Sequence, residues 1–237
     1  MTDNKGYIKD PTRSEEQRKE RKRKVYGRRM GRPLRGDRKK AIEETLPEIE
    51  VNLDDLKTLD INNKNWLEIG FGNGEHLVWQ SKHNPDVHYI GCEPFLNGVS
   101  ACAKQIDDED VTNARIWPDD ARMVLENLPN DSLERIFLLH PDPWHKKRHH
   151  KRRFLQTEML TRFAELMKKG AILRMASDDP SMAEWMLEKA LNHPSFEWLA
   201  TSADDWRKAK PDWPQTRYEA KGIEAGRKPY YLEFERL

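Results

Sequence analysis

From residue 66 onward, short apolar runs recur, and each gives way to a polar residue before a helix-like stretch begins. Trp66-Leu67-Glu68-Ile69-Gly70 is the first run, and residues 88–93 form the second, ending in Glu93. Residues 114–117 lead to Asp119 and Asp120, residues 133–139 to Asp142, and residues 171–176 to Ser177 and Asp178. Between the runs the apolar spacing becomes helical. Val99, Cys102, Ala103 and Ile106 share one face of 95–107, and Phe154, Leu155, Met159, Leu160, Phe163 and Leu166 form a stripe over 154–168. Gly170 is placed to end that helix, and Ser177-Asp178-Asp179-Pro180 reads as the start of another over 182–191. Two further strands are expected, at 196–200 and 229–235, with 201–228 irregular. Strands alternating with helices in this way predict an α/β fold: a doubly wound, mostly parallel, seven-stranded, Rossmann-like sheet with helices on both faces. Ligands of such a sheet bind at the carboxyl ends of its strands. Helix capping accounts for Asp119 or Asp178 taken singly, but not for five successive strand ends that carry acids.

The first of those ends carries Gly70-Phe71-Gly72-Asn73-Gly74, followed by Glu75. A dinucleotide site needs G-x-G-x-x-G, with pyrophosphate resting on the following helix N-terminus. Here the spacing is G-x-G-x-G, and Glu75 stands where the third glycine belongs and would repel pyrophosphate. A ligand without phosphate that carries a sulfonium and an ammonium tolerates acids, and S-adenosylmethionine fits that description. Glu68 just before the loop and Glu93 ending the next strand strengthen the reading.

The fourth end is the most unusual. His140-Pro141-Asp142-Pro143-Trp144 is followed by His145 to Arg153, nine residues holding six Lys/Arg and three His. Proline fixes φ and lacks an N–H, so the chain must leave the strand there, and the residue before each proline is excluded from the helical region. Asp142 is therefore held on a stiff turn beside an aromatic ring and a run of cations, a combination suited to a polyanion whose base is brought to the acid. Trp144 suits either stacking on that base or packing of the loop. His145 and His149 have the i, i+4 spacing of a metal pair, but the cations among them oppose a divalent ion, and no metal is expected.

Charge is unevenly placed. Residues 1–40 hold 16 Lys/Arg against 6 Asp/Glu, whereas the remainder holds 26 against 35. The expected organisation is a basic, flexible, largely disordered arm (1–40), a lead-in segment (41–64) and one catalytic domain (65–237), with RNA contact made by the arm. No apolar run reaches the ~18 residues of a membrane span, and the N-terminus has no secretory pattern. Cys92 and Cys102 read as reduced thiols, so a cytoplasmic location is expected. No obligatory protein partner is expected.

Residues 64–235 resemble the tRNA (guanine-N7)-methyltransferase family, on the class I S-adenosylmethionine-dependent fold. The resemblance rests on Leu67 to Gly74, Gly91-Cys92-Glu93, Pro141-Asp142-Pro143-Trp144-His145-Lys146 with its basic tail, and Thr216-Arg217-Tyr218-Glu219. His140 departs from it, since an apolar residue, usually Phe, is expected there. The resemblance implies that Glu68, Gly70, Gly72 and Gly74 hold the methionine part of the cofactor, Glu93 the ribose hydroxyls, and Asp120 and Ala121 the adenine. It implies Asp142 at the methyl-transfer centre, also touching the cofactor. Lys146, Asp178, Thr216, Arg217, Tyr218 and Glu219 would contact the substrate. Arg148, His149, His150, Lys151, Arg152 and Arg153 would grip tRNA phosphates. The implied substrate is the variable-loop guanine at tRNA position 46. Guanine N7 has a free lone pair, so alignment and charge placement matter more than a general base. The alternatives are an exocyclic-amine RNA methyltransferase, whose loop needs a second proline where Trp144 stands, and a non-catalytic RNA-binding module.

Overall fold

The computed structural model describes residues 26–237. Seven strands form one sheet in the order β3-β2-β1-β4-β5-β7-β6. They are β1 (Lys64–Ile69), β2 (Val87–Cys92), β3 (Ala114–Trp117), β4 (Leu133–Leu139), β5 (Met167–Ser177), β6 (Phe196–Trp198) and β7 (Tyr230–Arg236). Strands β1 to β5 are mutually parallel, and β7 runs antiparallel between β5 and β6. The predicted doubly wound sheet is therefore observed, with β3 and β4 at their expected bounds.

The alternation of strand side chains builds two cores. Leu67 and Ile69 of β1 and Ile136 and Leu138 of β4 face one side, where Val124, Leu160, Phe163 and Met186 cover them. Trp66 and Phe137 face the other, packed with Leu77, Val99, Cys102, Ile106, Leu46 and Ile49. A strand buried on both faces needs apolar residues at successive positions, which is why 66–69 and 136–139 read as continuous runs broken only by Glu68. Both cysteines are buried and unpaired. Among the described residues no helix is long and apolar enough to cross a membrane.

Four expectations change. Gly170 does not end a helix: the helix is Thr157–Leu166, and the chain passes directly into β5. Pairing with β4 jumps from Leu133↔Met167 to Arg135↔Ile172, so Gly170 (φ 77°) lies in an irregularity of the strand, a second use for a glycine that accepts positive φ. The 201–228 region is not wholly irregular, since it contains helices Asp204–Arg207 and Arg217–Glu224. The acids that cap helices are Asp120 and Asp179, accepting from the N–H groups of Arg122 and Met182, rather than Asp119 and Asp178. Finally, the free arm does not extend to residue 40. Residues 26–36 lie against the domain, and a helical stretch runs through Asp37–Lys40, a π-helical turn (Ala41–Thr45) and Leu46–Ile49. The Leu96 N–H donates to the Arg29 carbonyl (2.8 Å), Asn97 bonds both Gly31 and Arg32, and the Arg29 guanidinium pairs with buried Asp119 at 2.5 Å. Specific acceptors on the body outweigh the arm's composition. The part of the expected arm before residue 26 lies outside the described residues.

Candidate active site

The strand order reverses between β1 and β4, so the connections leaving their paired carboxyl ends turn to opposite faces of the sheet and leave a crevice. Backbone bonds carry the ladder up to its rim: Gly70 N–H donates to Cys92 (2.8 Å), Glu93 N–H to Trp117 (3.0 Å) and His140 N–H to Ala176 (2.8 Å). Two cavities open there, of about 450 and 230 Å3, and share Gly70, Leu139 and His140 as a common wall.

The larger cavity is lined by Gly70, Glu93, Asp120, Ala121 and Asp142, the residues expected to hold a cofactor. Glu93 is 8% exposed, and its two oxygens accept from the Gly72 N–H (2.9 Å) and the Phe95 N–H (2.8 Å). Burial pushes its carboxyl up to about 7, against the pull of those two bonds. Asp120 caps the helix Ala121–Asn127 and is clasped by the Arg122 guanidinium (2.6 Å at Nη2), so its position is fixed from two sides. The loop itself depends on glycine. Gly74 has φ 84°, and a Cβ there would lie 2.4 Å from the Cys102 sulfur. At Gly98 a Cβ would lie 2.3 Å from the Gly72 carbonyl oxygen, so the next helix packs against bare loop backbone.

Asp142 projects from a turn bracketed by two non-glycine residues with positive φ, His140 (49°) and Trp144 (43°). Such backbone costs about 1–3 kcal/mol per residue and persists only where the surroundings impose it. Two contacts hold the turn: the His140 N–H on the Ala176 carbonyl, and Arg153. It is 2% exposed, donates from Nε to the Pro143 carbonyl (2.8 Å) and from Nη2 to Ser181 Oγ (3.0 Å), and lies over the Trp185 ring. Arg153, expected among the phosphate-gripping residues, is instead buried beneath the turn in this structure. It locks the turn that presents Asp142. The Asp142 carboxyl, partly desolvated at the cavity mouth, titrates above the usual carboxylate range.

The smaller cavity joins Glu68 and the glycine loop to Thr216, Tyr218 and Glu219. Glu68 is buried and accepts from Tyr89 OH (2.8 Å), and it lies 2.7 Å from His76 Nδ1. Thr216 caps the helix Arg217–Glu224 by accepting from the Glu219 N–H at 3.2 Å. Glu219 is buried, accepts from Tyr231 OH, and is raised above the usual range by desolvation. Glu75 has a role that sequence spacing did not show. Its carboxylate accepts from the Arg217 N–H (2.6 Å) and pairs with the Arg217 side chain (3.3 Å), tying that helix to the glycine loop. His76 carries no linear signal, because only the tertiary fold sets its ring beside Glu68. Asp178 is 7% exposed, behind the wall, with Arg227 Nε at 2.9 Å.

The basic run is a ledge beside the larger cavity. Lys147–Arg152 forms a 3-10 helix, with Lys146, Lys147, Arg148 and Lys151 exposed. Arg152 lies over both Tyr26 (4.7 Å) and Trp144 (5.0 Å), and the His149 ring meets Trp144 edge-on. His150 packs on Trp185, and His145 faces Asp179. Trp144 thus packs the loop, with Tyr26 against its edge. Among the described residues no His/Cys/Asp/Glu cluster has the arrangement of a metal centre.

A crevice at this switch point, walled by acids and opened by a G-x-G-x-G loop, is the arrangement expected of a Rossmann-like methyltransferase. Residues 62–232 match the family model described as "Putative methyltransferase". The solved 16S rRNA methyltransferase KamB superposes with a TM-score of 0.53 at 13% identity, covering 77% of this chain and 92% of that one, a likeness of fold. The tRNA (guanine-N(7)-)-methyltransferase of Rhodospirillum rubrum is 46% identical over 223 residues, 90% of this chain and 88% of that protein. The tRNA (guanine-N(7)-)-methyltransferase of Brucella anthropi is 44% identical over 216 residues, 88% of this chain and 93% of its own. The chain belongs to the tRNA (guanine-N7)-methyltransferase family.

Proposed function

We propose that this chain transfers a methyl group from S-adenosylmethionine to N7 of a guanine in tRNA, at position 46 of the variable loop. The observation that carries the reading is the placement of Asp142. It stands on a locked turn where an acid-lined cavity meets a cationic ledge. Such a cavity fits a cofactor that is cationic at sulfur and nitrogen and has no phosphate. When bound, the cofactor supplies an electrophilic methyl on a sulfonium.

The chain's own residues then divide the work. Glu93, held at both oxygens by backbone N–H groups, keeps further lone pairs for two ribose hydroxyls. Asp120 and Ala121 border the adenine side, and Glu68 with the glycine loop borders the methionine side. Thr216, Tyr218 and Glu219 wall the second cavity, which receives the base, while Arg217 and Asp178 flank it. A guanine methylated at N7 is cationic, and Asp142 stabilises the positive charge as it develops. No group must remove a proton before attack, so the site needs geometry rather than a base. Exposed Lys146, Arg148 and Lys151 on the ledge take tRNA phosphates. The domain begins after the helical lead-in, and residues 26–40 form a docked collar on it.

The test is to incubate the protein with tRNA and methyl-labelled S-adenosylmethionine, digest the RNA and map the label. Label in 7-methylguanosine at position 46 is expected. Label on an exocyclic amine would move the protein to the rival enzyme class, and no incorporation would leave an RNA-binding module.

A further inference from the structure

His140 occupies the position where an apolar residue was expected, and nothing in the proposed reaction uses its ring. The side chain is 10% exposed and forms part of the wall that separates the two cavities. Its Nδ1 is buried without a hydrogen-bond partner, and the nearest carboxylate oxygen, Asp178 Oδ1, is 3.7 Å away. The ring centroid lies 5.1 Å from that of Tyr218. A phenylalanine would fill the same space, so what histidine adds is an atom that can take a proton in the middle of the site.

We propose that His140 is a specificity-determining residue that keeps the wall uncharged while a cationic cofactor is bound, and that a proton on its ring discriminates against the sulfonium cofactor in favour of the neutral thioether product. The proposal rests on the reading of S-adenosylmethionine as cofactor. With the ring neutral, Asp178 and Arg227 behind it offset one another. A proton adds one positive charge where both cavities end. Unit charges a few ångströms apart repel by several kcal/mol at an effective dielectric of about 20, so even a well-screened pair shifts affinity by on the order of tenfold. The product carries no charge at sulfur and escapes that repulsion.

Burial holds the imidazole below its ordinary value, with Arg227 pushing the same way and Asp178 opposing. The wall is therefore neutral at neutral pH and charges in the acid range. Other groups on the two cavities titrate as well. Tyr218 stands against the ring, Glu68, Glu75, His76 and Asp120 also line the cavities, and burial raises the carboxyls of Glu93, Asp142 and Glu219. Protonating those acids also disfavours a sulfonium, so the effect of His140 must be read as a difference between proteins.

Titrate the wild type and His140→Asn with S-adenosylmethionine and S-adenosylhomocysteine by calorimetry, from about pH 8 to about pH 5.5. Asparagine tolerates the left-handed backbone and retains a polar atom near Asp178. The ratio of the two dissociation constants should climb on acidification more steeply in the wild type, by on the order of tenfold. Parallel ratios in the two proteins would overturn the proposal. A second measurement needs no variant. The His140 Cε1–H resonance should titrate at a lower midpoint in the S-adenosylmethionine complex than in the S-adenosylhomocysteine complex, and equal midpoints would overturn the idea as surely. If neither compound binds at any pH, the cofactor reading itself fails, an outcome distinct from parallel ratios.

Discussion

The two halves of the rim are built on opposite plans. On the β1–β3 side each acid is buried and held: Glu68 by Tyr89 and His76, Glu93 by two backbone N–H groups, Asp120 by Arg122 and a helix N-terminus. On the ledge the charged groups at Lys146, Lys147 and Arg148 are exposed. A small ligand with fixed geometry is met by preorganised acceptors, which need no rearrangement at the moment of reaction. Solvated cations suit a large polyanion, because their value lies in counterion release rather than in exact placement. Asp142 and Arg153 stand at the border, the acid proposed for the reaction centre and a basic residue that is buried like the rigid half.

Substitutions should separate the halves. The largest effect is expected at the border. Asp142→Ala should lower kcat by about 10²–10³, the range seen when one preorganised transition-state contact is lost, with tRNA affinity within twofold in filter binding. Unchanged turnover would place the reaction centre elsewhere. Arg153→Ala should next show that a cation of the basic run belongs to the scaffold. Calorimetry should find it destabilised by about 2–4 kcal/mol, because a buried charged donor and its acceptors lose one another. A variant with native stability and weakened tRNA binding would return Arg153 to the ledge.

The rigid half should reveal itself through pH. Glu93 titrates at about 7 in the folded protein, above the ordinary carboxylate. Such a group favours folding when protonated, and the advantage fades as pH rises through 7. Relative to Glu93→Gln, the ligand-free wild type should gain about 2 kcal/mol between pH 8 and pH 5.5, measured by denaturant unfolding. A constant difference would mean the carboxyl is not held in the dry environment described. The smallest effect belongs to the ledge. Arg148→Ala should leave stability within about 0.5 kcal/mol and reduce the slope of log affinity against log salt by about 0.7–0.9. An unchanged slope would remove Arg148 from the phosphate contacts.

The same contrast governs what could be read from the sequence. Glu93 and Asp120 follow short apolar runs, and Gly70 to Gly74 has a distinctive glycine spacing, so the acids and loop that line the rim cavities are legible as a linear pattern. The runs at 133–139 and 114–117 match their strands without adjustment because most of their apolar residues are buried, with Ile136 and Leu138 on one face of β4 and Phe137 on the other. The burial of Arg153 is not legible in the sequence, because composition cannot tell a solvated arginine from one drawn under a turn. Its acceptors, Pro143 and Ser181, are set by tertiary packing alone. Residues 26–40 were misread for a related reason: a charge run looks unstructured until an acceptor such as Asp119, 90 residues away, is brought beside it. Glu75 was read only as a repulsive element, and its hold on Arg217 depends on a contact 142 residues apart.

The central claim is that the chain methylates the N7 lone pair of a guanine. Replacing guanosine 46 of a tRNA with 7-deazaguanosine removes that lone pair and leaves the Watson–Crick edge and the exocyclic amine untouched. Methylation of that nucleoside should fall to background, while tRNA affinity should change by no more than one lost acceptor, about 0.5–1.5 kcal/mol. Sustained methylation of the deaza nucleoside would show that another atom is the nucleophile and would contradict the account.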